Sequence, residues 1–322
     1  MIPRSIFAIT DFSVQGNHAL DRAALLCAEH GATLKLLCVA FPGEPPPDAA
    51  CRLSHHALQL EQRHGIRARA VNRTAFSIED VLAAARDADL LVWGTAPVRG
   101  IRSFFTGEPI EGVLRQGRRP ILVVRRPAPG PYRSLVVAVD FSEASRGLVE
   151  LGFALNQHAQ VELFHAVSTA NEGKLRYAEV SEQAIKAYRN ECLRHARDRM
   201  FWLTDSYEAR RNRVLSAIGR GDPARQVLVQ QQRSGAELIV VGKHPASALS
   251  DFLCGSVARG VLRGGSGDVL VVPHGSLEPA RSGAAPGRPV TAQRAVRRLR
   301  AGVPDEPAIH RLGTATRNGS TG

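Results

Sequence analysis

The sequence predicts an α/β fold: two tandem units, each a five-stranded parallel sheet with helices on both faces. Three observations predict it. Residues 94–125 align without a gap on residues 242–273, with twelve of 32 positions identical, among them Gly94/Gly242, Gly107/Gly255 and the runs Gly112–Arg115/Gly260–Arg263. Arg4–Ser13 matches Arg133–Ser142, each an apolar run ending in Asp-Phe-Ser. Between these landmarks, short apolar runs alternate with longer stretches of helical periodicity, the pattern of parallel strands joined by crossover helices.

A strand buried on both faces reads as an unbroken apolar run, and the Asp or Ser that ends the first run of each unit can cap the following helix. After its opening strand the first unit reads as helix 14–30, strand 33–40, helix 49–64, strand 66–73, helix 77–87, strand 89–94, a loop, helix 108–116 and strand 120–125. The second reads as strand 133–140, helix 143–157, strand 160–167, a longer helix within 177–206, strand 211–219, helix 223–233, strand 236–242, a loop, helix 256–263 and strand 268–273. This places the first domain at 1–126, a linker at 127–131, the second domain at 132–274 and a tail at 275–322. The three prolines of Arg-Arg-Pro-Ala-Pro-Gly-Pro (125–131) make the linker stiff and extended. The tail is rich in Gly, Pro, Ala and Arg with few large apolar groups, so disorder is expected.

No apolar run reaches the roughly 18 residues needed to span a bilayer. The opening MIPRSIFAITDFS lacks the apolar stretch of a secretory leader. Both point to the cytoplasm and away from membranes. The five cysteines lack CxxC or metal-like spacing and read as reduced, mostly buried thiols. The formal net charge of +12 raises the question of nucleic acid. Much of it is local: the tail holds eight Arg against Glu278, Asp305 and Glu306. A solvated basic tail is the plain reading, and unchanged salt-dependent DNA retention after deletion of 275–322 would eliminate a nucleic-acid role.

Chemistry is expected at the strand exits. Gly242 ends the apolar strand Leu238–Val241, where a glycine lets a ligand approach the backbone. Gly255-Ser256 opens a helix thirteen residues later, and the free N–H groups of Ser256 and Val257 with the helix dipole favour an anion. Asp140 can accept hydrogen bonds from a ribose hydroxyl or an adenine amine, or cap the helix after it. Phe104 and Phe252 hold the same place in both loops and read as packing anchors.

The Asp-x-Ser strand, the glycine ending the fourth strand and the spacing G-x2-G-x9-G-[S/T] in an in-register duplication resemble the universal stress protein superfamily over about residues 2–274. The resemblance implies a Rossmann-like, adenine nucleotide alpha hydrolase-like sheet in each unit, and pairing of the two units as a pseudo-dimer through the final strands 121–124 and 269–272. It also implies a stress-response role and ATP or AMP at the glycine loop in members that keep the glycines. Carried over by position, Ala138, Val139 and Asp140 line the adenosine side. The backbone near Ala166 and Val167 reaches the base. Val241, Gly242, Gly255, Ser256 and Val257 meet ribose and phosphates. Magnesium would come only with the nucleotide.

The pattern's second glycine is here Pro245, which offers no N–H. Lys243 or His244 could supply compensating charge, or be plain loop residues. In the first unit Glu108-Pro109 replaces the serine. A carboxylate satisfies the helix start from within the protein, and two like charges at 4 Å cost about 4 kcal/mol at an effective dielectric near 20. One nucleotide per chain, in the second unit only, is therefore expected, held as a signal with at most weak hydrolysis. The alternative is a nucleotide-free protein-interaction module of the same fold with an unknown partner. No Walker-type loop, nucleophile elbow or zinc spacing is present, and His165, on a strand, reads as a hydrogen-bonded interior histidine.

Overall fold

The computed structural model describes residues 2–41, 43–95, 109–205, 214–243 and 256–276, the side chains of Pro109 and Ser256 excepted. The first repeat runs β1 (Ser5–Thr10), α1 (Val14–His30), β2 (Thr33–Val39), α2 (Ala49–His64), β3 (Arg67–Ala75), α3 (Ile78–Ala84), β4 (Leu90–Gly94), α4 (Pro109–Gln116) and β5 (Ile121–Val124). The second runs β6 (Ser134–Ala138), α5 (Ala144–Leu155), β7 (Gln160–Val167), α6 (Ala170–Tyr177), α7 (Glu182–Thr204), β8 (Leu215–Arg220), α8 (Pro223–Ser234), β9 (Leu238–Lys243), α9 (Ser256–Gly264) and β10 (Asp268–Pro273).

Each repeat contributes five parallel strands, and the ten form one sheet in the order β3-β2-β1-β4-β5-β10-β9-β6-β7-β8. The join is antiparallel: Val269 faces Val123, Leu270 faces Leu122 and Val271 faces Ile121. Both partners are buried apolar runs. Left unpaired, each would be an exposed apolar sheet edge, and pairing removes both.

The unbroken apolar strands separate two cores, one per face. Ile6, Ala8, Leu34 and Leu36 meet α1 and α2, while Leu135, Val137 and Val240 meet α5 and Met200 of α7. On the other face Phe7, Leu91 and Val123 meet Val81, Val113 and Leu114, and Val136 and Ile239 meet Val227, Ala258 and Val261. Helix ends follow the sequence: Asp222 caps the Arg225 N–H with Pro223 in the first turn, and Gly31, Gly65 and Gly235 close α1, α2 and α8 at φ near +65°.

Three readings shift. The helix expected over 77–87 is shorter, at Ile78–Ala84, ending on Ala85 with no glycine. The helix expected within 177–206 is α7, and an additional short helix, α6, precedes it. Of the four described cysteines, Cys27 and Cys38 are buried while Cys51 is exposed; burial pushes the Cys27 thiol up to about 12. Among the described residues no helix is long and apolar enough to cross a membrane, and no group of three or more His, Cys, Asp or Glu could hold a metal. The tail beyond Ser276 lies outside the described residues.

Candidate functional site

In the second repeat the chain runs outward from β6 through β7 to β8, then returns to place β9 on the other side of β6. Strand order reverses between β6 and β9, and open α/β sheets bind ligands beyond the carboxyl ends of the strands at such a point. The expected site residues that end strands gather there. Ala138 is level with Val241 on one side and Phe164 on the other, so Asp140, Gly242–Lys243 and Ala166–Val167 leave three neighbouring strands together. The side chains of Val139 and Val241 are buried in the cores, so only their backbones face the crevice. His244, Pro245 and Gly255 lie outside the described residues, as do Phe104, Glu108 and Phe252; α9 begins at Ser256, with Val257 half-buried behind it.

Asp140 does not cap α5. Its Oδ1 accepts the Ser142 N–H and the Ser145 hydroxyl, both at 2.9 Å. α5 starts from Glu143 with no side-chain cap. The Ser142 hydroxyl oxygen is buried with no hydrogen-bond partner. The first repeat differs at the matched residue: Ser13 Oγ accepts the Gly16 N–H at 3.0 Å and caps α1. A buried hydroxyl left unmatched is costly, and here it sits at an uncapped helix start, where anions are favoured.

The two strand-end glycines also differ. A Cβ on Gly94 would lie 1.9 Å from the Gln15 carbonyl oxygen, so the main chain of α1 is pressed against the end of β4. The three described atoms nearest a Cβ on Gly242 belong to side chains, His274 Nε2 at 2.5 Å and His274 Cδ2 and Leu148 Cδ1 at 3.1 Å. His274 follows β10 directly. Its imidazole lies against Gly242, a contact that no sequence pattern announced.

Lys243 is placed on a different task from phosphate binding. Its Nζ donates to the carbonyls of Leu114, Arg115 and Gly117 at the end of α4, matching that helix dipole. On the other flank His165 Nδ1–H donates to the Val139 carbonyl at 2.8 Å, and its ring packs on Phe141 with centroids 4.2 Å apart. Burial lowers its pKa, against the opposing pull of the Val139 hydrogen bond and Asp140. The Val167 carbonyl accepts the Gly221 N–H at 3.0 Å. Beyond it Glu172, on the additional helix α6, takes both nitrogens of the Arg220 fork at 3.1 and 2.5 Å and Arg189 at 3.0 Å. Those bonds hold its carboxyl below the usual range.

The residues present fit a nucleotide in part: a carboxylate held at the strand exit, an orphaned hydroxyl and two helix starts. Among the described residues the arrangement offers binding groups.

The model of the universal stress protein family matches residues 3–125 and 131–273. A universal stress protein of Archaeoglobus fulgidus DSM 4304 superposes with a TM-score of 0.59 at 17% identity, covering 84% of this chain and 98% of that one. A functionally unknown Pseudomonas aeruginosa PAO1 protein superposes at 0.63 with 20% identity, covering 85% and 94%. These likenesses show the fold. No curated protein matches the chain.

Proposed function

The chain belongs to the universal stress protein family, and from that premise we propose that its second repeat binds one adenine nucleotide, ATP or AMP, as a conformational signal in a cytoplasmic stress response. The observation that carries this reading is the orphaned Ser142 hydroxyl at the uncapped start of α5, where the first repeat has a satisfied cap and the main chain of α1 against its strand-end glycine. Asp140 meets the ribose or base, the α9 start with Ser256 and Val257 meets the phosphates, and any magnesium arrives with the nucleotide. Turnover is at most weak on this reading.

Calorimetric titration of the purified protein with ATP and with AMP, beside mass spectrometry of released small molecules, tests this. One nucleotide per chain is expected, and Ser256→Glu, which copies Glu108 into the second repeat, weakens it roughly tenfold or more. Two nucleotides per chain, or unchanged affinity in that variant, refutes the placement.

A second reading, a nucleotide-free interaction module, is favoured by His274 against Gly242 and by Lys243 being engaged at α4. Absence of binding both in the native chain and in His274→Ala decides for it.

A further inference from the structure

The outer part of the first repeat carries a cationic groove. Lys35 on β2 and Arg69 on β3 are direct register partners. Two like charges therefore sit side by side on one face, an arrangement that weakens a sheet. Both are exposed, and among the described residues neither makes an ion pair. With Arg73 they line an open groove of about 390 Å³ against Val71 and Ala84.

The second repeat serves as an internal control. Lys35 pairs with Phe7, and Glu162 pairs with Val136, the residue matched to Phe7 in the duplication. Lys35 therefore corresponds to Glu162. There Glu162 Oε1 accepts Gln230 Nε2 of α8 at 2.7 Å. α8 has twelve residues where α3 has seven. Each helix runs back along the strands, so the extra turn of α8 covers the entry half of β7. α3 stops short and leaves Lys35 and Arg69 open. Charge on an outermost strand guards against aggregation, and β3 is outermost. That accounts for Arg67 and Arg69 but not for Lys35, which lies one strand in.

We propose that this groove docks an extended acidic segment of a partner protein, laid alongside β3. β3 is nine residues long and ends the sheet; its Ala68 N–H is taken by Glu61 Oε1 at 2.9 Å, and the outer backbone groups beyond Ala68 can accept an added strand. Side chains alternate along a strand, so carboxylates at every second position of the partner meet Arg69 and its cationic neighbours. The chain's own tail does not suit, being net basic. A second copy paired β3 to β3 would oppose Arg67, Arg69 and Arg73 to one another. The groove stands apart from the nucleotide crevice, which lies in the other repeat.

The test is fluorescence anisotropy of the full chain with a labelled peptide of about eight residues alternating Glu and Val, beside an alternating Lys-Val peptide and an oligo-dT. The acidic peptide binds and the basic one does not. Lys35→Glu, which installs the second repeat's residue, weakens binding roughly tenfold or more while thermal stability holds or rises, because a like pair becomes an opposite one. Unchanged affinity in that variant overturns the proposal, as does absence of binding to the acidic peptide. Oligo-dT binding at least as tightly with the same loss overturns it in favour of nucleic acid.

Discussion

Replacing Tyr132 by Phe removes one hydroxyl at the join of linker and second repeat. Tyr132 and Asp268 are both 1% exposed. The Tyr132 hydroxyl donates to Asp268 Oδ2 at 2.6 Å, and burial, then the Asp268 charge, pushes its pKa far up, so it remains a donor at any working pH. Asp268 Oδ1 takes the Arg125 and Arg126 N–H groups at 2.8 and 3.3 Å. Without Tyr132 OH, Oδ2 keeps only Arg22 Nε at 3.7 Å. Arg22 is itself fixed by the Gly130 carbonyl at 2.7 Å and the Tyr132 ring at 3.8 Å, both of which survive the change. A hydrogen bond to a charged buried group contributes about 1.5–3 kcal/mol. Tyr132→Phe should therefore lose about 2 kcal/mol, or about 4–8 °C in a folded region of this size. Urea unfolding followed by fluorescence is suited to it, because the two tryptophans, Trp93 and Trp202, report one repeat each. Both should shift together. A loss under about 0.5 kcal/mol would mean that Arg22 alone satisfies the carboxylate. A shift of Trp202 without Trp93 would mean that the clamp does not couple the repeats.

Gly94→Ala forces a methyl into the Gln15 main chain and should cost about 2–3 kcal/mol, whereas Gly242→Ala meets side chains that can turn aside and should cost about 1 kcal/mol, both by urea unfolding; the reverse order would refute the close approach of α1 to Gly94. The Glu172 carboxyl is held low by Arg220 and Arg189, so the stability it contributes is complete above the unfolded glutamate pKa of about 4.3 and is lost as pH falls from there through the lower folded value. Thermal unfolding of Glu172→Gln across acid pH should accordingly show lower stability at neutral pH and a flatter acid limb; an unchanged acid limb would remove the three-residue cluster from the account.

The strands were legible because a strand buried on both faces leaves an unbroken apolar run, and the duplication supplied a second reading of most elements. Pairing through the final strands came from family resemblance, its antiparallel sense from the structure, and the buried Ile121–Val124 and Val269–Val272 give its physical reason. α6 was missed because its stretch is polar, with only Glu172 buried. Proline content suggested a stiff linker, but what holds it is Asp268, which stands where the first repeat has Pro120. That departure inside an otherwise aligned block was the available signal. At the crevice, sequence brought Asp140, Gly242 and Ala166 to one level, since all end strands. It could not foresee Lys243 reaching α4 or His274 folding onto Gly242, because both contacts depend on how the β5–β10 end of each repeat is packed.

The two copies also separate what the matched Asp-Phe-Ser does for the fold from what it does for a ligand. Phe12 and Phe141 both adopt left-handed backbone, at φ of 62° and 61°, a strain of about 1–3 kcal/mol each that surrounding structure must offset. Strain of this kind often marks a binding site, yet it persists in the first repeat, where α1 is pressed onto Gly94. Each ring has its own partner: Arg52 lies 4.4 Å over Phe12 with His56 stacked at 5.9 Å, and Phe141 rests on His165. The shared strain therefore seats an aromatic ring against a neighbouring element in either copy, α2 in the first and β7 in the second. What sets the second crevice apart is the unshared chemistry: the Ser142 hydroxyl without a donor or acceptor, the late start of α5, and movable side chains in place of main chain at the strand-end glycine.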